Sequence, residues 1–260
     1  MAGVFEQLRW DDDSRAHLDD LVFVMEEPGT TARQAGRDCF RLYKTRRYFA
    51  RYERFWAERS DFAARNIVEL GIWDGGSVAI WYHHFHPEKL VAIDLDTGGD
   101  SPYFERWRGR EGLDGRVRTY WSTDQSDGSR LGEIIDREFG EEPLDLVIDD
   151  ASHLYGPTRE SFQVLFPRLR DRGLYVIEDW TSASPSPDRP PLATLVHELV
   201  AETATSSRAV RDMTVHRGFV AIQRTRVPRG ELEPYHLRPL ASPALAPSAR
   251  PWWRALRRQA

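Results

Sequence analysis

Between positions 66 and 177 a short apolar run recurs five times, and each run is separated from the next by a stretch long enough for a loop and a helix. The pattern predicts strands at 67–71, 90–94, 117–121, 144–149 and 174–177. Helices are predicted at 77–85, 128–139 and 157–169, with a short one around 102–108. Apolar residues at consecutive positions mark strands of a parallel sheet covered on both faces. The order therefore restricts the chain to an α/β fold, a doubly wound and mostly parallel sheet with its ligands at the carboxyl ends of the strands.

Two of these strands end unusually. Leu146-Val-Ile-Asp-Asp-Ala-Ser-His153 and Leu174-Tyr-Val-Ile-Glu-Asp-Trp180 each close an apolar run with paired carboxylates. If the strands are neighbours, Asp149, Asp150, Glu178 and Asp179 converge, with His153 close by. Acids gathered in this way call for a cation, and a hard divalent metal beside a general base suits the donor set. Side chains alternate along a strand, so Asp149 faces away from Asp150 and takes a supporting part.

The first strand runs into a glycine turn, Ile67-Val-Glu-Leu-Gly-Ile-Trp-Asp-Gly-Gly-Ser77. Glycines allow a sharp turn and close approach of a ligand, and Ser77 is placed to cap the following helix. Trp73 and Asp74 break the dinucleotide pattern Gly-x-Gly-x-x-Gly, and an acid at 74 would repel a pyrophosphate. Glu69 suits a ligand with a positive group, while Asp94 ends the next strand where an acid grips ribose hydroxyls. An ammonium, a carboxylate and a ribose without phosphate together describe S-adenosylmethionine.

The flanks are less regular. Residues 1–65 read as an N-terminal helical cap, with a helix start at Asp11-Asp-Asp-Ser14 and a second helix that puts Leu42, Phe49, Tyr52, Phe55 and Trp56 on one face. Tyr43-Lys-Thr45, ahead of that helix, reads as solvated surface unless it closes over a cofactor carboxylate. Residues 66–225 form the main domain, which ends in a helix at 192–204 and an antiparallel hairpin at 209–216 and 219–223. The Ser- and Pro-rich stretch 181–191 is a candidate substrate loop, and 226–260 is a basic, Pro- and Arg-rich tail. A formal charge of −5 over 260 residues gives no global pull toward nucleic acid or membrane. Cys39 is the single cysteine. With no leader-like or bilayer-length apolar run, the expected setting is cytoplasmic, and a homo-oligomer is left open.

These segments resemble the class I S-adenosylmethionine-dependent methyltransferases, and more narrowly the metal-dependent sugar O-methyltransferases of macrolide antibiotic pathways. The resemblance spans roughly 43–180 and rests on Val68-Glu-Leu-Gly-Ile-Trp-Asp-Gly-Gly-Ser77, Val91-Ala-Ile-Asp94, Thr123-Asp-Gln-Ser-Asp127, Ile148-Asp-Asp-Ala-Ser-His153 and Val176-Ile-Glu-Asp179. It implies a Rossmann-like methyltransferase fold in which Glu69, Gly71, Ser77, Asp94, Asp124 and Gln125 line the cofactor. Asp150, Glu178 and Asp179 would bind Mg²⁺, and His153 would be the base that deprotonates a hydroxyl of a small-molecule or glycoside acceptor. Ala151 stands where the family usually has glycine. Methyltransferases for catechols and other small diols are the nearest rival, although they resemble an Asp-Asn ending in place of Glu178-Asp179. A nicotinamide-dependent oxidoreductase is disfavoured by the missing glycine pattern.

Overall fold

The structure is a computed structural model that describes residues 3–26, 38–182, 188–204, 209–227, 235–237 and 239. Its main sheet has seven strands: β5 (Asn66–Leu70), β6 (Lys89–Ile93), β7 (Val117–Tyr120), β8 (Leu144–Asp149), β9 (Leu169–Glu178), β10 (Val210–Val215) and β11 (Phe219–Arg224). They lie in the order β10-β11-β9-β8-β5-β6-β7. All neighbours from β9 to β7 are parallel, while β11 and β10 add an antiparallel edge. The expected hairpin is therefore present, and β8 and β9 are indeed side by side.

Alternation along the strands divides the core. Ile67, Leu90, Leu146, Ile148, Leu174 and Val176 join one apolar cluster, and Val68, Val91, Val147, Tyr175 and Ile177 join the other. The second face is covered by α5 (Gly128–Phe139), α6 (Tyr155–Leu165) and α7 (Ala193–Glu202). On the first face lie α3 (Gly76–Phe85), α4 (Pro102–Arg110) and the N-terminal segment. The helix expected to reach position 169 stops at Leu165, where a 3-10 turn holds Pro167. Proline lacks the amide that would continue the helix, so the chain passes into β9 at Leu169.

The N-terminal segment departs from a purely helical cap. It contains α1 (Val4–Gln7) and α2 (Arg46–Ala57), but also a four-stranded sheet of β1 (Arg9–Asp12), β2 (Arg15–Leu18), β3 (Leu21–Met25) and β4 (Phe40–Leu42). Asp12 Oδ1 accepts from both the amide and the hydroxyl of Ser14 at 2.7 Å, which makes a hairpin turn of the residues expected to start a helix. Burial at every second residue of β2 then follows period two. Phe5, Phe23, Phe40, Tyr52 and Trp56 share one core cluster with Ile67, Trp81 and Val176, so this segment packs directly on the main sheet. Among the described residues no helix is long and apolar enough to cross a membrane.

Candidate active site

The strand order reverses between β5 and β8, so a crevice opens at their carboxyl ends. Gly71 lies at its floor with φ of +93°, and a Cβ there would stand 2.3 Å from the Asp150 carbonyl oxygen. No other residue type fits that close approach. Gly75 also has positive φ, and its missing side chain admits the Phe104 ring. Helix α3 starts at Gly76 with Gly75 at the cap, so Ser77 sits inside the first turn and is not the N-cap expected of it. Four non-glycine residues with left-handed backbone, Trp73, Ser122, His153 and Asp179, each lie just beyond a strand at this same edge. Such conformations cost energy and persist where surrounding structure enforces them.

A cavity of about 310 Å³ lies beside the turn, lined by Gly71, Asp94, Leu95, Thr123, Asp124 and Gln125 together with residues that follow β8. Four of the six expected cofactor residues therefore meet at one space. Asp94 also builds it: its Oδ2 accepts from the amides of Ile72 and Trp73 at 2.6 and 2.9 Å, and fixes the glycine turn. Asp124 holds its own loop through Ser126. Gln125 accepts from the Ser152 amide at 2.9 Å and donates to Asp149, which ties the cavity wall to the end of β8. Glu69 is wholly buried, and neither oxygen has a hydrogen bond of good geometry, Ser77 being the adjacent donor. Burial pushes its carboxyl up to about 8, only partly eased by nearby Ser77 and Lys44. An orphaned carboxylate beside a glycine cradle fits a ligand that carries a positive group.

The two acids at the end of β8 separate as period two requires. Asp149 points toward α6 and accepts from Gln125, from Ser161 Oγ at 2.9 Å and from Tyr175 Oη at 2.9 Å. Its burial raises its carboxyl to about 6 against these donors. Asp150 and Asp179 lie half-buried at the crevice, and with His153 they present ligand atoms within 4.8 Å of one another. His153 Nε2 stands 4.0 Å from Asp150 Oδ1. Burial pushes the Asp179 carboxyl up, and Lys44 partly offsets this.

Linked to Asp150 through Lys44, Glu178 lies the deeper of the two. It follows Leu174 and Val176 onto the face covered by α2, where Oε2 accepts from Lys44 Nζ and Tyr48 Oη at 2.6 Å and Oε1 from Tyr52 Oη at 2.8 Å. Lys44 is not solvated surface either: Nζ also donates to Asp150 Oδ2 at 2.6 Å. Burial opposes the ammonium, yet Asp150 and Glu178 together hold its pKa above the ordinary lysine value. The sequence signal for this contact was present in Tyr48 and Tyr52, polar-tipped residues one helical turn apart on the buried face of α2. Trp180 and Tyr155 are engaged in packing, with Trp180 Nε1 bonded to the His216 carbonyl and Tyr155 Oη to Glu198.

Oxygen donors of Asp150 and Asp179 at an open edge suit Mg²⁺, which prefers one or two carboxylates and keeps other positions free. Parts of the chain are similar to known proteins. Residues 68–180 match a family described as a methyltransferase domain. Demethylmacrocin O-methyltransferase of Streptomyces fradiae is 37% identical over 142 residues, which are 52% of this chain and 32% of that protein. Mycinamicin VI 2''-O-methyltransferase of Micromonospora griseorubida is 34% identical with the same coverage of both chains. The MycE methyltransferase of the mycinamycin pathway, solved with Mg, SAH and mycinamycin VI, superposes with a TM-score of 0.54 at 25% identity, over 69% of this chain and 50% of that one. The matched part thus spans about a third of the curated relatives. Within those bounds, the segment 68–180 is similar to this family of methyltransferase domains.

Proposed function

We propose that the chain transfers a methyl group from S-adenosylmethionine to a hydroxyl of a sugar on a glycosylated small molecule, with Mg²⁺ held at the strand ends. The observation that carries this reading is the convergence of Asp150, His153 and Asp179 beside the cavity built around Gly71. The sugar-modifying relatives support the choice of acceptor class. When bound, the cofactor supplies an electrophilic methyl group and the divalent ion supplies charge that favours an alkoxide.

The rest belongs to this chain's residues. Glu69 and the glycine turn would bind the cofactor's ammonium and carboxylate, and the cavity lined by Asp94, Leu95 and Gln125 would take its nucleoside. Asp150 and Asp179 would hold the metal, with Glu178 behind them as the third acid that the resemblance implies. His153 Nε2, at 31% side-chain exposure, is accessible to an acceptor and takes the hydroxyl proton as general base. Asp150 at 4.0 Å then faces the imidazolium that forms, which favours the transfer. Fixed geometry between cofactor and acceptor contributes much of the rate in such a displacement.

Incubation of the full chain with methyl-labelled S-adenosylmethionine, Mg²⁺ and a panel of glycosides, catechols and simple diols tests the reading. Label in a glycoside hydroxyl is expected. Label confined to catechols would reassign the acceptor, and binding of NAD in preference to S-adenosylhomocysteine would overturn methyl transfer altogether.

A further inference from the structure

His153 holds its left-handed backbone, with φ of +54°, between two residues whose amides are both tied down. The Ser152 amide donates to Gln125 Oε1 at 2.9 Å, and the Leu154 amide donates to Ser152 Oγ at 3.2 Å. Beyond Leu154 the chain enters α6, where the Thr158 amide donates to the Leu154 carbonyl. A strained residue keeps its conformation only where its neighbours are fixed. Ser152 is therefore the pivot, and Gln125 is what holds it.

Gln125 can hold it in one sense only. Its Nε2 faces Asp149 Oδ1 and Oδ2 at 3.1 and 3.2 Å and Ser161 Oγ at 3.2 Å, with Asp149 2% exposed and Gln125 6%. Turned about, the amide would set Oε1 against two carboxylate oxygens and leave the Ser152 amide without its acceptor. The carboxylate thus fixes the direction of the amide, and the amide fixes Ser152. Resting on the functional reading above, we propose that Asp149 and Gln125 are positioning residues for His153, acting through Ser152. Gln125 also lines the cofactor cavity, which makes Asp149 the cleaner place to break the relay.

Amide hydrogen exchange across 151–154 in the full chain, together with transfer of labelled methyl to a glycoside, tests this. Asp149→Ala should speed exchange there by about tenfold or more while the β8 amides stay protected. In the same variant kcat should fall by about tenfold or more, with KM for the glycoside and Kd for S-adenosylhomocysteine within about threefold. Asp149→Asn keeps an acceptor for Gln125 Nε2 and should bring exchange and kcat back to within about threefold of the unaltered protein. Should Asp149→Ala not fold, Gln125→Leu decides by exchange alone. Exchange across 151–154 that stays within about twofold overturns the inference, as does faster exchange with kcat unchanged. The two failures are distinct: no methyl transfer by the unaltered chain removes the functional reading and the role of His153 with it, whereas transfer by the unaltered chain with indifferent variants overturns this inference alone.

Discussion

The two faces of β8 and β9 carry polar networks built from neighbouring residues, yet of opposite character. On the α6 face, Asp149 is surrounded by neutral donors from Gln125, Ser161 and Tyr175, and the network is closed. Across the sheet, Lys44 sits among Asp150, Glu178 and, at longer range, Glu69 and Asp179, so acids outnumber the cation that touches them. The first arrangement holds one buried charge with dipoles and asks for nothing further. The second leaves negative charge at an open edge, where a cationic cofactor or metal balances it. Adjacent carboxylates thus acquire different work from strand alternation alone.

Substitutions break the contrast in order of size. His153→Ala on the open side should lower kcat by about 10²–10⁴-fold in the labelled-methyl assay, with Mn²⁺ affinity retained. Loss of Mn²⁺ binding in that variant would make His153 a ligand. Lys44→Ala leaves Glu178 buried without its counter-charge, and denaturant unfolding should show a loss of about 3–5 kcal/mol. Tyr175→Phe removes one of the neutral donors on the closed side, and the same measurement should show about 1 kcal/mol, with methyl transfer unchanged.

Acidity sharpens the comparison. Glu69 titrates near 8 when folded against an ordinary 4.5, so the folded chain holds a proton the unfolded chain has released between those values. Its stabilising contribution is full below about 4.5 and lost as pH rises through about 8. Asp149 behaves alike over a lower window, from 3.8 to about 6. The melting temperature of the cofactor-free protein should therefore fall between pH 6 and pH 8.5, in a window set by Glu69. Glu69→Gln should flatten most of that slope, and an unchanged slope would show that the Glu69 carboxyl is not the group responsible.

Much of this was legible in the sequence because buried parallel strands write themselves as apolar runs. The five strands, the closing hairpin and the supporting part of Asp149 follow from run length and period two, whereas the neighbouring of β8 and β9 was a condition that the strand order then met. Lys44 was not legible, since a lysine beside a helix start is ordinarily solvated and only tertiary packing brings it to the ends of β8 and β9. Glu178 entered the ligand set through the resemblance, and its contacts with Tyr48 and Tyr52 were not legible because only tertiary packing brings α2 to the end of β9. The N-terminal sheet was hidden behind Asp11-Asp-Asp-Ser14, where aspartate and serine serve a turn as readily as a helix cap.

The central claim is that the open acidic edge serves a metal-assisted methyl transfer. Transfer of labelled methyl to a glycoside acceptor, measured with chelator and again after added Mg²⁺, tests it most directly. Activity should vanish with chelator and return with the ion; transfer indifferent to both would contradict the account.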